Sequence, residues 1–181
     1  MAHPFYTIGH STRTIEDFAD MLMDAGVTLV ADVRSVPFSR ANPQYNKTVL
    51  PQALSPYAIA YEHIPALGGF RGKSPDIAQN ANAFWENDRF RNYADYAMGE
   101  EFRAGLARLQ ELGYTQSCAI MCAEALWWKC HRRIIADYLL AAGERVWHIV
   151  RPENVQAARM TEGARVMEAG VLLYPSGEGN G

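Results

Sequence analysis

The sequence predicts an α/β fold: a single domain built on a mainly parallel sheet, with helices on both faces. Three observations predict it. Apolar, β-branched runs recur along the chain, segments with helical spacing alternate with them, and no internal repeat breaks the alternation. A length of 181 residues suits one domain. We place it at residues 1–175 and expect the polar tail at 176–181 to be disordered.

The N-terminal part of the chain is predicted to form a strand, a helix and a second strand. Residues 5–8 are a short β-prone run that ends at Gly9. Thr14 can cap a helix and Gly26 stands where a helix-terminating glycine belongs, with apolar residues at helical spacing between them. Residues 27–33 are a nearly continuous apolar run, which is typical of a strand buried on both faces.

The middle of the chain is less regular. Four prolines at residues 36–57 predict a loop with a short helix, and residues 59–64 predict a third strand. A glycine loop follows at 67–71, residues 72–88 carry no clear pattern, and residues 90–112 predict one long helix or two short ones.

The C-terminal part returns to regular alternation. Residues 117–122 predict another buried strand, and residues 129–142 predict a helix that Gly143 ends. Residues 146–150 predict the next strand. For the last thirty residues we expect one helix and a strand at 171–174.

Charge and composition limit the partners of the protein. A net charge of -3 provides no basic field, so binding to duplex DNA is not expected. No apolar run reaches the ~18 residues of a membrane helix, so no membrane partner is expected either. The N-terminal residues lack the pattern of a signal peptide, and we therefore expect a cytoplasmic protein with reduced thiols. The oligomeric state is left open.

Most of the reactive side chains follow predicted strands. In an open parallel sheet, ligands bind beyond the carboxyl ends of the strands, so these residues are expected to share one rim. They are His10, Asp32, Arg34, Ser35, Arg71, Cys122, Glu124, Cys130, His131 and Arg132. Structural roles compete with this hypothesis: Asp32 can pair with Arg34, while Cys118, His148 and the tryptophans at 127 and 128 are expected mainly to pack.

Residues 122–133, with the sequence CAEALWWKCHRR, allow three interpretations. As a metal site the stretch is poorly arranged. Cys118 and Cys122 would lie ~13 Å apart on one strand, and Cys130 and His131, adjacent on a helix, would diverge by ~100°. We therefore assign no metal ligands and favour no cofactor, although a transition metal stays possible.

The second interpretation is a reactive thiol. Cys122 would end a strand and Cys130 would stand in the first turn of a helix, where the helix dipole and Arg132 favour a thiolate. Glu124 or His131 would serve as general base or acid. The third interpretation is an anion site, in which free amides at the helix start act with Arg132, and with arginines such as Arg34 and Arg71 on the rim loops.

Five motifs, taken together, resemble the bacterial family catalogued as domain of unknown function 488. They are Ile-Gly-His10-Ser, the stretch DVRSVPFSR at 32–40, Leu67-Gly-Gly, Cys122-Ala-Glu124 and Cys130-His131-Arg132, in this order within residues 5–150. The resemblance implies a single small cytoplasmic α/β domain, and it supplies no activity.

The main hypothesis is an enzyme whose rim pocket binds a small anionic substrate: a phosphorylated compound, a nucleotide or single-stranded nucleic acid. The residues expected to be catalytic are Cys122, Glu124, Cys130, His131, Asp32 and His10. Those expected to bind substrate are Arg34, Ser35, Arg71 and Arg132. The alternative is a non-enzymatic module in which Cys122 and Cys130 sense redox state or a metal.

Overall fold

Six strands form one mixed sheet in the computed structural model of the chain, which describes residues 2–177. In chain order they are β1 (Phe5–Gly9), β2 (Leu29–Asp32), β3 (Ala60–His63), β4 (Cys118–Cys122), β5 (Val146–Arg151) and β6 (Asn154–Ala157). Their order in the sheet is β3-β2-β4-β1-β5-β6. The first five run parallel and β6 pairs antiparallel with β5, so the predicted α/β fold with a mainly parallel sheet is confirmed.

Five α-helices cover the two faces of this sheet. They are α1 (Ile15–Asp24), α2 (Leu50–Leu54), α3 (Asp88–Ala97), α4 (Glu100–Thr115) and α5 (Arg132–Ala141). Buried residues of α1 and α2 pack on one face, and those of α3, α4 and α5 pack on the other. Each face therefore carries its own apolar core, as expected for strands whose residues are apolar on both sides.

Local signals explain the ends of several helices. The Thr14 hydroxyl accepts from the Asp17 amide and caps α1, and Gly26 follows the helix with a φ of 76°. The predicted helical region at 90–112 forms two helices, because α3 ends at Ala97 and α4 begins at Glu100. The proline-rich loop contains α2 and two 3-10 turns, at Pro43–Tyr45 and Ser55–Tyr57.

Two predicted elements differ from the structure. The helix predicted from residue 129 begins only at Arg132, because residues Trp127–Lys129 form a separate 3-10 turn and Cys130 has extended backbone. No α-helix lies in the described part of the last thirty residues. That segment instead contains β6, a 3-10 turn at Glu168–Gly170, and a two-stranded sheet of β7 (Arg165–Val166) and β8 (Leu172–Leu173). The predicted strand at 171–174 corresponds to β8.

The strand order places a crevice between β1 and β4. These neighbours are parallel, with Gly9 opposite Cys122, but α1 follows β1 on one face and α5 follows β4 on the other. Where adjacent strands lead to opposite faces, their carboxyl ends leave room for a ligand. The end of β2 lies at the same edge, because the Val33 amide donates to Met121 O.

None of the helices within residues 2–177 has the length and apolar character needed to span a bilayer. Residues 178–181 of the expected disordered tail lie outside the described part of the chain.

Candidate functional site

Two thiols meet at the crevice. Cys122 ends β4 and Cys130 lies two residues before α5, and their Sγ atoms are 2.7 Å apart. Both side chains are nearly buried, at 4% and 7% exposure, yet both line an open cavity of about 610 Å³. The pair is therefore shielded from bulk solvent on most sides and accessible from one.

The loop between the thiols explains their contact. Glu124 Oε1 accepts from the Leu126 amide at 3.0 Å, and the 3-10 turn Trp127–Lys129 follows. The turn ends in the extended residue Cys130, so its side chain points back towards Cys122. Gly9 permits this path, because a Cβ at Gly9 would lie 1.9 Å from Glu124 O.

Arg132 lies behind the thiols. It is 1% exposed, and its Nε donates to Cys122 Sγ at 3.0 Å and to Cys130 Sγ at 3.4 Å. Its Nη2 donates to Glu124 O at 2.6 Å and its Nη1 to Thr7 Oγ1 at 3.3 Å. None of the ion pairs found among residues 2–177 involves this guanidinium. A buried cation requires a compensating negative charge, and the atoms placed to provide it are sulfurs.

The surroundings of the two sulfurs separate their pKa values. Burial opposes ionisation of Cys130, but the hydrogen bond from Cys122 and then the charges of Arg132 and His131 bring its pKa well below the usual value. Burial, followed by the hydrogen bond to Cys130, raises the pKa of Cys122 well above it. Both shifts favour the proton on Cys122 and the negative charge on Cys130. The first amide of α5, Arg132 N, also donates to Cys130 Sγ at 3.4 Å.

His131 adjoins Cys130. Its Nε2–H donates to Val33 O at 2.8 Å, which leaves Nδ1 facing Cys130 Sγ at 3.5 Å. The expectation that Cys130 and His131 point apart was wrong, because it assumed that both residues are helical. Gly69 makes room for the ring, since a Cβ there would lie 2.6 Å from Nδ1. A cysteine sulfur and an imidazole nitrogen at this distance can exchange a proton.

A second buried network supports the cavity wall. Asp32 accepts from Arg34 Nε at 2.9 Å and from Nη2 at 2.7 Å, and the Tyr61 hydroxyl also donates to it. Arg34 Nη1 donates to His10 Nε2 at 3.3 Å, while His10 Nδ1–H donates to Ser11 O at 2.8 Å. Burial lowers the pKa of His10 to about 4, so its ring is neutral near pH 7. The charge of Arg34 is therefore balanced by Asp32 within the protein.

A third group of residues lies on the far side of Arg132. The Thr7 hydroxyl accepts from Arg132, which leaves its own proton for His148 Nδ1 at 2.7 Å. The His148 ring stacks on Trp127 with centroids 4.1 Å apart, and burial lowers its pKa to about 3. His148 and Trp127 thus pack and orient rather than face the cavity, as expected, and Cys118 is likewise fully buried.

The predicted site residues divide into three groups. Those that line the cavity are Arg34, Ser35, Cys122, Glu124, Cys130 and His131. Those that lie behind its wall are His10, Asp32 and Arg132. Arg71 does not line this cavity but borders a smaller neighbouring pocket, which shares Gly69, Phe70 and Arg89 with it. Its guanidinium covers the Tyr96 ring at 3.8 Å, donates to Gly68 O and Pro65 O, and lies 3.8 Å from Glu101.

Several cavity residues were not among the predicted site residues. The cations Lys129 and Arg89 line the cavity, as do the rings of Phe38, Phe70 and Phe90. Arg89 and Phe90 open α3 and reach the site from a distant part of the chain, so no local pattern signals them. Phe38 lies within the stretch 32–40 already singled out, and its 53% exposure is the feature that a sequence does not reveal.

The residues at 2–177 include no group of three or more histidine, cysteine, aspartate or glutamate side chains arranged to hold a metal ion. Cys122, Cys130 and His131 instead contact one another, the Arg132 guanidinium and the backbone oxygen of Glu124.

Comparison with known proteins identifies the family. No curated protein and no solved structure matches the chain. A family model described as "Domain of unknown function DUF488" matches residues 14–139, which is more than half of the chain and runs from the cap of α1 almost to the end of α5. The matched segment contains both thiols, His131 and Arg132. The chain therefore belongs to the family described as domain of unknown function DUF488.

Proposed function

We propose that the protein is an enzyme in which the Cys130 thiolate acts as a nucleophile on a small anionic substrate in the cavity. The observation that carries this proposal is Arg132, a buried guanidinium whose side chain faces two sulfurs and, within residues 2–177, no carboxylate. Arginine keeps its charge in proteins, so a thiolate beside it is favoured.

The residues around Cys130 supply the proton transfers of such a reaction. Cys130 Sγ bonds to an electrophilic carbon or phosphorus, and the leaving group departs with the electron pair of the broken bond and a proton from His131 Nδ1. Water then attacks the covalent intermediate, His131 takes a proton from it, and Cys130 leaves as the thiolate. The net reaction is hydrolysis, and the enzyme returns to its starting state.

The other predicted residues have supporting roles in this proposal. Glu124 holds the loop through its bond to Leu126, and Ser35 Oγ accepts from the Phe70 amide at 2.8 Å. Asp32 and His10 fix Arg34 in the cavity wall. We therefore assign these residues to positioning, and we assign proton transfer to His131.

The charges at the cavity support an anionic substrate of modest size. Arg34, Arg71 and Arg132 donate to groups within the protein, so the cations available to a ligand are Lys129 and Arg89. Phe38 and Phe70, 53% and 64% exposed, lie at the same cavity and suit a planar or apolar part of the ligand. A phosphorylated compound with a planar group, such as a nucleotide, combines both features.

A pair of alkylating probes tests both parts of the proposal. Iodoacetate carries a carboxylate and iodoacetamide is its neutral analogue, so the ratio of their rates at Cys130 reports on anion binding near the thiolate. We expect this ratio to exceed that of glutathione several-fold. In Lys129→Met and Arg89→Met it should fall towards the glutathione value.

Lys73→Met is the matched control, because Lys73 is exposed and does not line the cavity. It should keep the wild-type ratio. A ratio equal to that of glutathione in the wild-type protein contradicts the anion site. Failure of both probes to label Cys130 at pH 7 contradicts the nucleophilic thiolate.

The second candidate is a non-enzymatic module that senses redox state or a metal. The contact between Cys122 and Cys130 favours its redox form, since two thiols at this separation can be oxidised together. Both candidate functions use the Cys130 thiolate: in the first it reacts with a substrate, and in the second it is oxidised together with Cys122.

A further inference from the structure

We infer that Cys122 and Cys130 form a reversible disulfide when a peroxide enters the cavity, so that oxidation of the site is arrested at a recoverable stage. This inference rests on the Cys130 thiolate of the proposed function, and it adds a distinct role for Cys122. The protein would then carry both a nucleophile and the thiol that protects it.

The geometry provides a resolving thiol next to the reactive one. The sulfurs are 2.7 Å apart, and both side chains line the cavity, through which a small oxidant reaches them. Cys118, at the start of β4, is fully buried and lies ~13 Å along the strand from Cys122. Cys122 is thus the one partner thiol within reach of Cys130 in the described chain.

The chemistry proceeds in two balanced steps. Cys130 Sγ attacks one oxygen of the peroxide and the O–O bond breaks. The sulfur, oxidised by two electrons, becomes a sulfenic acid, while the second peroxide oxygen leaves as hydroxide or alkoxide, takes a proton from solvent water in the open cavity and departs as water or an alcohol. Cys122 Sγ then attacks the Cys130 sulfur and the S–O bond breaks. The departing hydroxide takes the Cys122 proton and leaves as a second molecule of water.

The loop can accommodate the new bond. Cys122 and Cys130 are separated by residues 123–129, and Ala123, Glu124, Trp128 and Lys129 in this segment are exposed. The S–S distance must shorten to about 2.05 Å. Trp128 and Lys129, which directly precede Cys130, can shift by this amount without disturbing the sheet, whereas Cys122 stays fixed at the end of β4.

Arg132 makes the disulfide easy to reduce. Oxidation removes the negative charge from Cys130 and leaves the buried guanidinium without a compensating anion, which is costly. The reduced form is therefore favoured, as in oxidoreductases whose thiolate is strongly stabilised. We expect reduced glutathione in excess to restore both thiols, so the modification is reversible.

Peroxide treatment of the reduced, full-length protein tests the inference. The wild-type protein should lose two hydrogen atoms by intact mass and give a peptide cross-linked between Cys122 and Cys130. Cys122→Ser should instead accumulate sulfenic acid on Cys130, trapped by dimedone, and should proceed to sulfinic acid faster than the wild-type protein. Cys118→Ala is the matched control and should form the disulfide normally.

Three outcomes overturn the inference. In the first, wild-type Cys130 is oxidised to sulfinic acid as fast as in Cys122→Ser. In the second, the cross-linked peptide is absent. In the third, the disulfide is not reduced by excess glutathione. The iodoacetate and iodoacetamide rates of the same samples keep this inference separate from the proposed function. Rapid alkylation without a disulfide removes only the role of Cys122, and absence of alkylation removes the thiolate itself.

Discussion

At the scale of single residues, Arg132 determines the chemistry of the site. From the sequence it was expected to bind substrate, because free amides at a helix start, with an arginine alongside, form an anion site. In the structure its side chain turns inwards, and each of its three guanidinium nitrogens donates to Thr7, Glu124 or a cysteine sulfur. Removing the sulfurs would leave an uncompensated buried charge, at a cost of about 3–5 kcal/mol.

His10 is the residue whose ionisation most directly links the cavity wall to pH. Its pKa is lowered from 6.5 to about 4, chiefly by burial, so its neutral form is favoured in the folded protein. A base with a lowered pKa contributes stability that is complete above pH 6.5 and declines as the pH falls towards 4. The loss is at most about 3 kcal/mol.

His10→Asn tests this dependence, because an asparagine amide can still donate to Ser11 O. We expect the free energy of unfolding of the variant to fall less than that of the wild-type protein between pH 6.5 and pH 4. Urea denaturation at a series of pH values measures it. His3 is exposed, so His3→Asn is the control, and its free energy of unfolding should change with pH as that of the wild-type protein does. Identical curves for wild type and His10→Asn would show that His10 is not held neutral.

At the scale of elements, the connection between β4 and α5 creates the site. The apolar spacing at 134–139 predicts α5 well, but it extends the helix back to residue 129. The actual start depends on tertiary contacts: Trp127 stacks on His148 of β5, and the 3-10 turn that allows this leaves Cys130 extended. The residues between β4 and α5 do not by themselves predict that Trp127 stacks on His148.

Gly9 is the element-scale feature whose substitution should disturb the loop most. A Cβ at this position would lie 1.9 Å from Glu124 O and 2.7 Å from Ala125 Cα, and both are backbone atoms that cannot turn away. We expect Gly9→Ala to lower the free energy of unfolding by about 2 kcal/mol or more. It should also slow alkylation of Cys130, because the displaced loop carries the contact of Glu124 O with Arg132.

Gly72→Ala is the control for this substitution, since nothing lies within 4 Å of a Cβ there. Its free energy of unfolding should stay within about 0.5 kcal/mol of the wild-type value. Equal free energies of unfolding for Gly9→Ala and Gly72→Ala in chemical denaturation would show that the backbone of Glu124 and Ala125 does not pack against Gly9 as described.

The C-terminal segment marks the limit of prediction from local pattern. The predicted helix in the last thirty residues was wrong, because β6 is stabilised by pairing with β5 and by the bond from the Ala158 amide to Val146 O. Glu153, at the turn between the two strands, adopts a φ of 61°, which is uncommon for glutamate. β6 forms because it pairs with β5, so its own residues do not predict it. A buried strand such as β4, in contrast, is predicted by its own apolar residues.

The same contrast holds for the site. Residues that follow strands were predicted to meet, and His10, Asp32, Cys122 and Cys130 do so because parallel strands end at one edge. The directions of side chains were not predictable. Arg132 turns inwards, Arg71 covers Tyr96, and Arg89 arrives from α3, so the cations near the cavity differ from those expected.

At the scale of the whole molecule, the matched family segment and its flanking strands share the site. Residues 14–139 contribute the thiols, His131, Arg132 and the Asp32–Arg34 pair. β1 and β5 lie outside that segment. Thr7 of β1 contacts Arg132, His10 directly after β1 contacts Arg34, and His148 of β5 stacks on Trp127. The surroundings of the thiol pair thus depend on strands from both sides of the crevice.

The pH dependence of Cys130 alkylation in the reduced protein tests the central claim most directly. Iodoacetamide labelling, resolved by peptide mass spectrometry, gives the rate at each cysteine. We predict that Cys130 is labelled first, with a midpoint well below the ordinary thiol pKa of about 8.5, and that Cys118 is not labelled in the folded protein. A Cys130 midpoint at or above the ordinary thiol value, or faster labelling of Cys122, would contradict the account.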